Sequence, residues 1–289
     1  MSDKPILVTG AAGRTGRRMV KALTARGARV RAFVRRPGAG EELRALGVDQ
    51  VVAGDLLDAG SVATAMRGAE QVLHICPPMH PQEDAIARTM IAVAMEAQVE
   101  RFVLYSVLHP LLSDVPHHAR KLEAERALVG AGLAYTILQP SRYMQQLVPI
   151  WKGVLATAVH SMPFATSARF SVVDLDDLAE VAARIMTESG HDAATYQLAG
   201  PQALSQDDMA GILSELLGRP IRAEAKALED MRREAEAAGF PAERIETMCR
   251  MNSHYDAHGL VGNPNVLRWL LGRPPTEFGE FVRRELLNA

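Results

Sequence analysis

Three glycines at a spacing of three stand near the start of the chain, in the run Val8-Thr9-Gly10-Ala11-Ala12-Gly13-Arg14-Thr15-Gly16. The apolar run Ile6-Leu7-Val8 precedes them, and apolar residues at helical spacing (Met19, Val20, Leu23) follow. A glycine loop between a strand and a helix is suited to a dinucleotide. Gly10 permits the tight turn, Gly13 lets the backbone approach a pyrophosphate, and Gly16 lets the helix pack close to the strand. The N–H groups of Ala12, Arg14 and Thr15 and the positive helix end would then hold phosphate oxygens. Without strand and helix the pattern is weak, and a glycine turn with no ligand is the plain alternative. In this context it is specific.

The end of the next strand selects the cofactor. An NAD site carries an acid about 20 residues after the glycines, for the ribose 2′-hydroxyl. This chain has Val34-Arg35-Arg36-Pro37 there. Two guanidinium groups suit a 2′-phosphate by charge and by fork geometry, which favours NADP(H) over NAD; two solvated arginines are the alternative. Gly54-Asp55-Leu56-Leu57-Asp58 follows the third strand. Asp55, beside Leu56, could accept from the adenine amino group, whereas Asp58 reads as a helix N-cap.

These residues need a particular scaffold, and the hydrophobic periods supply one. Strands are expected at 6–8, 30–34, 51–52, 72–75, 102–105 and 135–138. Helices are expected at 14–26, near 40–46, near 59–67, at 82–97 and at 116–131. Strand and helix alternating at this rhythm give a doubly wound parallel Rossmann sheet with helices on both faces. Three loops then fall at the carboxyl edge of the sheet, where substrate and nicotinamide would meet. They are Pro77-Pro78-Met79-His80, His109-Pro110 and Gln139-Pro140-Ser141-Arg142-Tyr143-Met144. Met79, His80 and His109 are therefore candidate pocket residues, with Pro77 beside the cofactor. Met144, Trp151 and Met162 could line an apolar cavity for a flat aromatic or quinone-like ligand; ordinary core packing is the alternative.

Beyond residue 150 the pattern loosens. Val172-Val173 leads into a capped helix at 174–188, a strand follows at 196–199, and helices are expected at 205–217, 228–238 and 241–251. The last segment, 265–287, is helical around the break Gly272-Arg273-Pro274-Pro275. Residues 1–150 thus form the nucleotide domain. Residues 151–289 form a smaller C-terminal α/β substrate-side region, part of which returns to the Rossmann sheet. The 289 residues carry a net charge of −2, which gives no reason to expect nucleic acid or a membrane surface as partner. No secretory leader or spanning segment is evident, and Cys76 and Cys249 have no metal spacing. The Met- and His-containing stretch 248–258 shows none either, so no metal is expected. A cytoplasmic protein with free buried thiols and a small-molecule substrate is the expectation.

The TGxxGxxG form, VRRP, GDLLD, RFVLYSVLHP, YTILQPSRYM and VVDLDDLAEVAARIM resemble the NmrA-like family of atypical short-chain dehydrogenase/reductases. So do YQLAGPQALSQDDMAGILSELLGRPI and NPNVLRWLLGRPPTEF, so the likeness runs over nearly the whole chain. It implies an NADP-binding Rossmann domain with a small C-terminal substrate domain. Members include NADPH-dependent quinone and azo reductases, plant aromatic ether or lactone reductases, and proteins that bind dinucleotide as sensors.

The wider superfamily uses Tyr-x-x-x-Lys on the helix after the fifth strand, where lysine holds the nicotinamide ribose and lowers the tyrosine pKa. Here that helix reads His117-His118-Ala119-Arg120-Lys121. Lys121 matches the lysine, and His117 stands in the tyrosine position. A spacing of four puts both on one helix face, and His117 could donate a proton near neutral pH. His118 is a lesser candidate, and two solvated residues opening a surface helix are the alternative. Ser106 stands near the position of the superfamily's serine. Tyr143 is a possible displaced proton donor, or packing.

Three readings of function remain in view. A reductase would pass hydride to a quinone or azo compound, acceptors that need little help from a strong acid. A dinucleotide sensor would explain the missing tyrosine. A redox-neutral isomerase or lyase that keeps the dinucleotide structurally is a third reading.

Overall fold

The computed structural model describes residues 4–288. Its first half runs β1 (Ile6–Val8), α1 (Arg14–Ala25), β2 (Val30–Val34), α2 (Gly40–Ala45), β3 (Gln50–Ala53) and α3 (Ala59–Met66). It continues through β4 (Gln71–His74), α4 (Glu83–Glu96), β5 (Arg101–Tyr105), α5 (Pro116–Val129) and β6 (Tyr135–Pro140). After a 3₁₀ turn at Met144–Ile150 come α6 (Trp151–Thr157), β7 (Val159–Met162), β8 (Phe170–Val172), α7 (Leu175–Thr187) and β9 (Ala194–Leu198). The remainder is β10 (Gln202–Leu204), α8 (Gln206–Leu217), β11 (Arg222–Ala225), α9 (Leu228–Ala237), α10 (Ala242–His258), α11 (Asn265–Leu271) and α12 (Phe278–Val282).

Seven strands form one sheet in the order β3-β2-β1-β4-β5-β6-β9. The pairings from β3 through β6 are parallel, with Ile6 opposite Val30 on one side and Gln71 on the other. Strands covered on both faces read as continuous apolar runs, which is why Ile6-Leu7-Val8 and Phe102-Val103-Leu104 lie buried throughout. One large core cluster gathers Leu7, Phe33, Met66, Val72, Met90, Phe102 and Ile137 from strands and helices alike. Burying a side chain the size of Phe102 contributes about 2–3 kcal/mol. Helix α1 presents Gly16, Met19, Val20 and Leu23 to the interior. The strand order reverses between β1 and β4, and ligands of such sheets bind outside the carboxyl ends at that point.

The chain divides into two compact units, and each takes several segments. Among the described residues the first comprises 4–113, 118–139 and 178–196; the second comprises 114–117, 140–177 and 197–288. In the first, the return segment is fastened by Ala193 N–H donating to Tyr135 O at 2.8 Å and Thr136 Oγ1 donating to His191 O at 2.7 Å. In the second, β8 pairs antiparallel with β10 and β7 parallel with β11. Ser205 and Asp208 form a complete capping box at α8. Buried Asp174 and Asp177 bind Arg284 at 2.6 Å and Arg273 at 2.7 Å.

Periodicity did not reveal β7, β8, β10 and β11. Each has three or four residues with polar members, too short for an alternation to register. Helix α10 also runs past residue 251 to His258, because Asn252 and Tyr255 keep its buried face going through a polar stretch. No helix among the described residues is long and apolar enough to cross a membrane.

Candidate functional site

The glycine loop leaves β1 and enters α1 beside the switch point. Gly10 has φ +61°, and a Cβ there would lie 2.6 Å from Ile75 O. A Cβ on Gly16 would meet Gly10 O at 2.2 Å and Ala11 Cα at 2.6 Å, so helix and loop touch backbone to backbone. Gly13 differs. It is exposed, its φ of −75° suits any residue, and a Cβ would approach only Gly10 O, at 3.2 Å. It is also the N-cap of α1, with no side-chain cap and no acid in the first turn. A twelve-residue helix thus keeps its positive end uncapped behind an open glycine, which fits a diphosphate.

Arg35 and Arg36 follow β2, and both are exposed. Among the described residues neither guanidinium has an ion pair or a side-chain hydrogen bond, so two cations stand unengaged just beyond the carboxyl end of β2. Asp55 is exposed and accepts from Leu57 N at 3.0 Å, forming a local turn, while Leu56 packs on the core. Asp58 caps α3 by accepting from Gly60 N at 3.0 Å and Ser61 N at 3.2 Å. The Ser61 hydroxyl, donating to the same carboxylate at 2.7 Å, and those backbone bonds hold it below the usual carboxylate range.

Lys121 projects from α5 into the interior. Its Nζ donates to Tyr105 O, at the end of β5, at 2.6 Å and lies 2.7 Å from Glu83 Oε1, at the start of α4. Both side chains are almost wholly buried, at 7% and 2% exposure. The ammonium is thereby fixed at the carboxyl end of the sheet. Cys76 lies beside this pair, and burial, with the Glu83 carboxylate adding to it, pushes its thiol pKa up. Ser106 is buried and donates its hydroxyl to Glu125, which also accepts from Gln139 Nε2 at 3.0 Å. Burial pushes the Glu125 pKa up against those two hydrogen bonds. Deeper still, His74 Nδ1 meets Thr9 Oγ1 at 2.9 Å, and burial drives the imidazole pKa down to about 3.

The loops after β4 and β5 stay near the sheet edge. Pro77 is exposed; Met79 and His80 are half-buried, with His80 Nδ1 accepting from Gln82 N at 3.2 Å. His109 is half-buried and its carbonyl meets His118 Nδ1 at 2.9 Å, while His118 itself is fully buried.

Residues 2–281 match the NmrA-like family. The chain belongs to that family. The NAD(P)H azoreductase of Xenophilus azovorans is 29% identical over 279 residues, covering 96% of each chain. The NADPH-dependent quinone oxidoreductase of Escherichia coli, solved with NADPH, superposes with a TM-score of 0.84 at 25% identity, over 96% of this chain and 98% of that one. The Citrobacter sp. triphenylmethane reductase, solved with NADP(H), gives a TM-score of 0.85 at 25% identity over 98% and 100%.

The remaining candidates of this NmrA-like chain lie in the second unit. His117 is half-buried in the first turn of α5. Tyr143, Met144 and Met162 line a cavity with Arg142, Phe164 and Phe170. Trp151 is not in that lining; it is buried where the 3₁₀ turn runs into α6. Its burial makes it a packing residue, and the cavity wall combines Met and Phe side chains with Arg142, His160 and Gln206. The sequence reading missed Glu83 and Glu125. An acid in a first helical turn reads as a complement to the helix dipole, and one inside an amphipathic helix reads as solvated. Only the fold shows that each is buried against a functional candidate.

Proposed function

We propose that this protein is an NADPH-dependent reductase that passes hydride to a small quinone- or azo-like acceptor. The observation carrying this reading is the pairing of an open Gly13 at an uncapped helix end with two unengaged arginines after β2. That combination fits a diphosphate and a 2′-phosphate on one ligand. The names of the azoreductase, the quinone oxidoreductase and the triphenylmethane reductase support it. When bound, the reduced nicotinamide supplies the hydride. Gly10, Ala12, Gly13, Arg14, Thr15 and Gly16 form the phosphate cradle; Arg35 and Arg36 hold the 2′-phosphate. Asp55 and Leu56 flank the adenine, and Pro77 borders the dinucleotide. Lys121, held by Glu83 and Tyr105, positions the nicotinamide ribose. His117 or Tyr143 is the residue to test as proton donor. An acceptor that becomes a stabilised anion on reduction needs little acid catalysis, which suits a chain without the superfamily tyrosine.

One observation favours a second reading, a dinucleotide sensor. Lys121 is engaged with Glu83 and a carbonyl, with histidine where the tyrosine would stand. Following NADPH absorbance against a panel of quinones and azo dyes decides between the two. Turnover on any of them supports the reductase. Tight NADPH binding with no turnover on the whole panel would move the assignment to the sensor.

A further inference from the structure

Two carboxyl groups and one ammonium, those of Glu83, Glu125 and Lys121, are buried in the first unit. The neighbouring titratable groups add no positive charge: burial drives the His74 pKa down to about 3 and pushes the Cys76 thiol up, so both stay neutral. Lys121 directs its ammonium to Glu83, 2.7 Å away, and to Tyr105 O. With both acids ionised, the three groups would leave a net negative charge in the interior. A buried carboxyl without a cation partner takes up a proton instead.

Glu125 is the acid placed to take it. Among the described residues no cation pairs with its carboxyl group, and its hydrogen-bond partners are neutral. Ser106 Oγ meets Oε1, and Gln139 Nε2 lies 3.0 Å from both Oε1 and Oε2. Burial pushes the Glu125 pKa up, against those hydrogen bonds and the charge of Lys121 one turn earlier on α5. The contact with Ser106 serves both protonation states. An ionised Glu125 accepts from the serine hydroxyl; a protonated one donates to Ser106 Oγ, and the serine O–H is then free to donate elsewhere. Ser106 N donates to Leu138 O at 2.8 Å, so the sheet fixes the backbone while the hydroxyl can turn. Ser106 also adjoins Tyr105, whose carbonyl holds Lys121. Acid, hydroxyl and the lysine assigned to the ribose therefore lie on adjoining residues after β5 and on one turn of α5.

We propose that Glu125 holds a buried proton at neutral pH and supplies it, through the Ser106 hydroxyl, to the reduced acceptor. The inference rests on the reductase reading for its last step. Ser106 gives its proton to the anion left once the acceptor has taken hydride from NADPH; the serine O–H bond breaks and an O–H or N–H bond forms on the acceptor. Glu125 gives its own proton to Ser106 Oγ, so the serine ends unchanged and the glutamate ends as a carboxylate, which water reprotonates. The acceptor gains hydride and proton, and NADPH leaves as NADP⁺. Every protein group on this route belongs to the first unit, whereas His117 and Tyr143 belong to the second.

Infrared difference spectra of the full-length protein without nucleotide read the stored proton directly, because a protonated carboxyl group has a C=O stretch apart from the carboxylate and amide bands. The wild type at neutral pH should show that band, and it should fade as pH rises. Glu125→Gln, which keeps a neutral group able to donate and accept, should lack it; Ser106→Ala should keep it. Kinetics read the delivery. Both variants should bind NADPH as the wild type does, yet lose kcat on an azo dye by at least about tenfold. The loss should be smaller on a quinone, whose reduced anion is the weaker base. The wild-type rate should fall with rising pH as the carboxyl gives up its proton, and Glu125→Gln should lack that fall. A band that Glu125→Gln leaves in place, or no band at all, would overturn the proposal and make Glu125 an ionised acceptor that only fixes Ser106. Wild-type turnover of the azo dye by Glu125→Gln would overturn it equally and leave the reductase standing. If Glu125→Gln does not fold, the pH titration of the wild-type band and the Ser106→Ala rate decide. A band lost in Glu125→Gln, with no acceptor reduced by the wild type, keeps the stored proton and removes the reductase reading.

Discussion

Replacing Lys121 by methionine keeps the aliphatic stem and deletes the charge that faces Glu83. The pair is buried on both sides, its charged atoms 2.7 Å apart, with side chains 7% and 2% exposed. Removing one partner strands a carboxylate among Cys76 and the ends of the strands. Stranding a buried charge in this way costs about 3–5 kcal/mol. The Tyr105 carbonyl also loses a donor, worth about 1 kcal/mol or somewhat more. Urea unfolding of Lys121→Met should therefore give a stability lower by several kcal/mol. Adding Glu83→Gln should recover most of it, since a neutral amide is far easier to bury than a lone carboxylate. Turnover then separates structure from function. If Lys121 positions the ribose, the double variant regains stability while kcat/KM stays down by orders of magnitude. A Lys121→Met protein within about 1 kcal/mol of wild type would refute the ion-pair reasoning. A double variant with full turnover would take Lys121 out of the proposed site.

The glycines should separate binding from folding. Gly13→Ala, with only Gly10 O at 3.2 Å to meet, should melt close to wild type yet weaken NADPH by at least about tenfold. Gly16→Ala forces a Cβ to 2.2 Å from backbone and should lower stability by about 1–3 kcal/mol or more; identical melting curves for the two would defeat this distinction. Arg35→Ala with Arg36→Ala should weaken NADPH in a binding titration and leave NADH nearly unchanged. A wild type that already prefers NADH would exclude the 2′-phosphate role. His74 is neutral in the fold, its pKa depressed to about 3, so the unfolded chain takes up the extra proton. Its contribution is complete above about pH 6.5 and falls by about 1.4 kcal/mol per pH unit as pH drops toward 3. His74→Asn should flatten the decline in unfolding free energy between about pH 7 and about pH 5 by about 2 kcal/mol; an unchanged slope would mean that other groups govern acid stability.

Much of this was legible in the residues because parallel strands covered on both faces must be apolar runs, and a glycine loop between strand and helix has few uses. Ile6–Val8, Gly10, Gly13 and Gly16 therefore placed the sheet and its switch point together. Arg35 and Arg36 stood out as candidates because no acid stands where a ribose hydroxyl would need one. Glu83 and Glu125 were not, since burial of an acid is decided by partners distant in sequence: Lys121 lies 38 positions from Glu83, and Ser106 meets Glu125 across a whole loop. The cavity of the second unit was legible only in its methionines. Its cation, Arg142, reads in the chain as one more polar loop residue, and His160 belongs to a strand too short to show a period.

The interleaving of the two units bears on how the protein is made. On the ribosome, β1 through β6 emerge first, but the first unit is completed only by residues 178–196. Until those arrive, the β6 edge lacks its neighbour β9. Arg101 also lacks the acceptors it reaches in the finished fold, Ile185 O at 2.7 Å and Asp192 at 2.8 Å. Meanwhile residues 140–177, which belong to the other unit, are synthesised before residues 197–289 that complete it. An open strand edge is an invitation to pair with another chain. Translation through the stretch between residues 140 and 196 is therefore the interval in which a nascent copy is most exposed to misassembly, and a chaperone would have most to protect there.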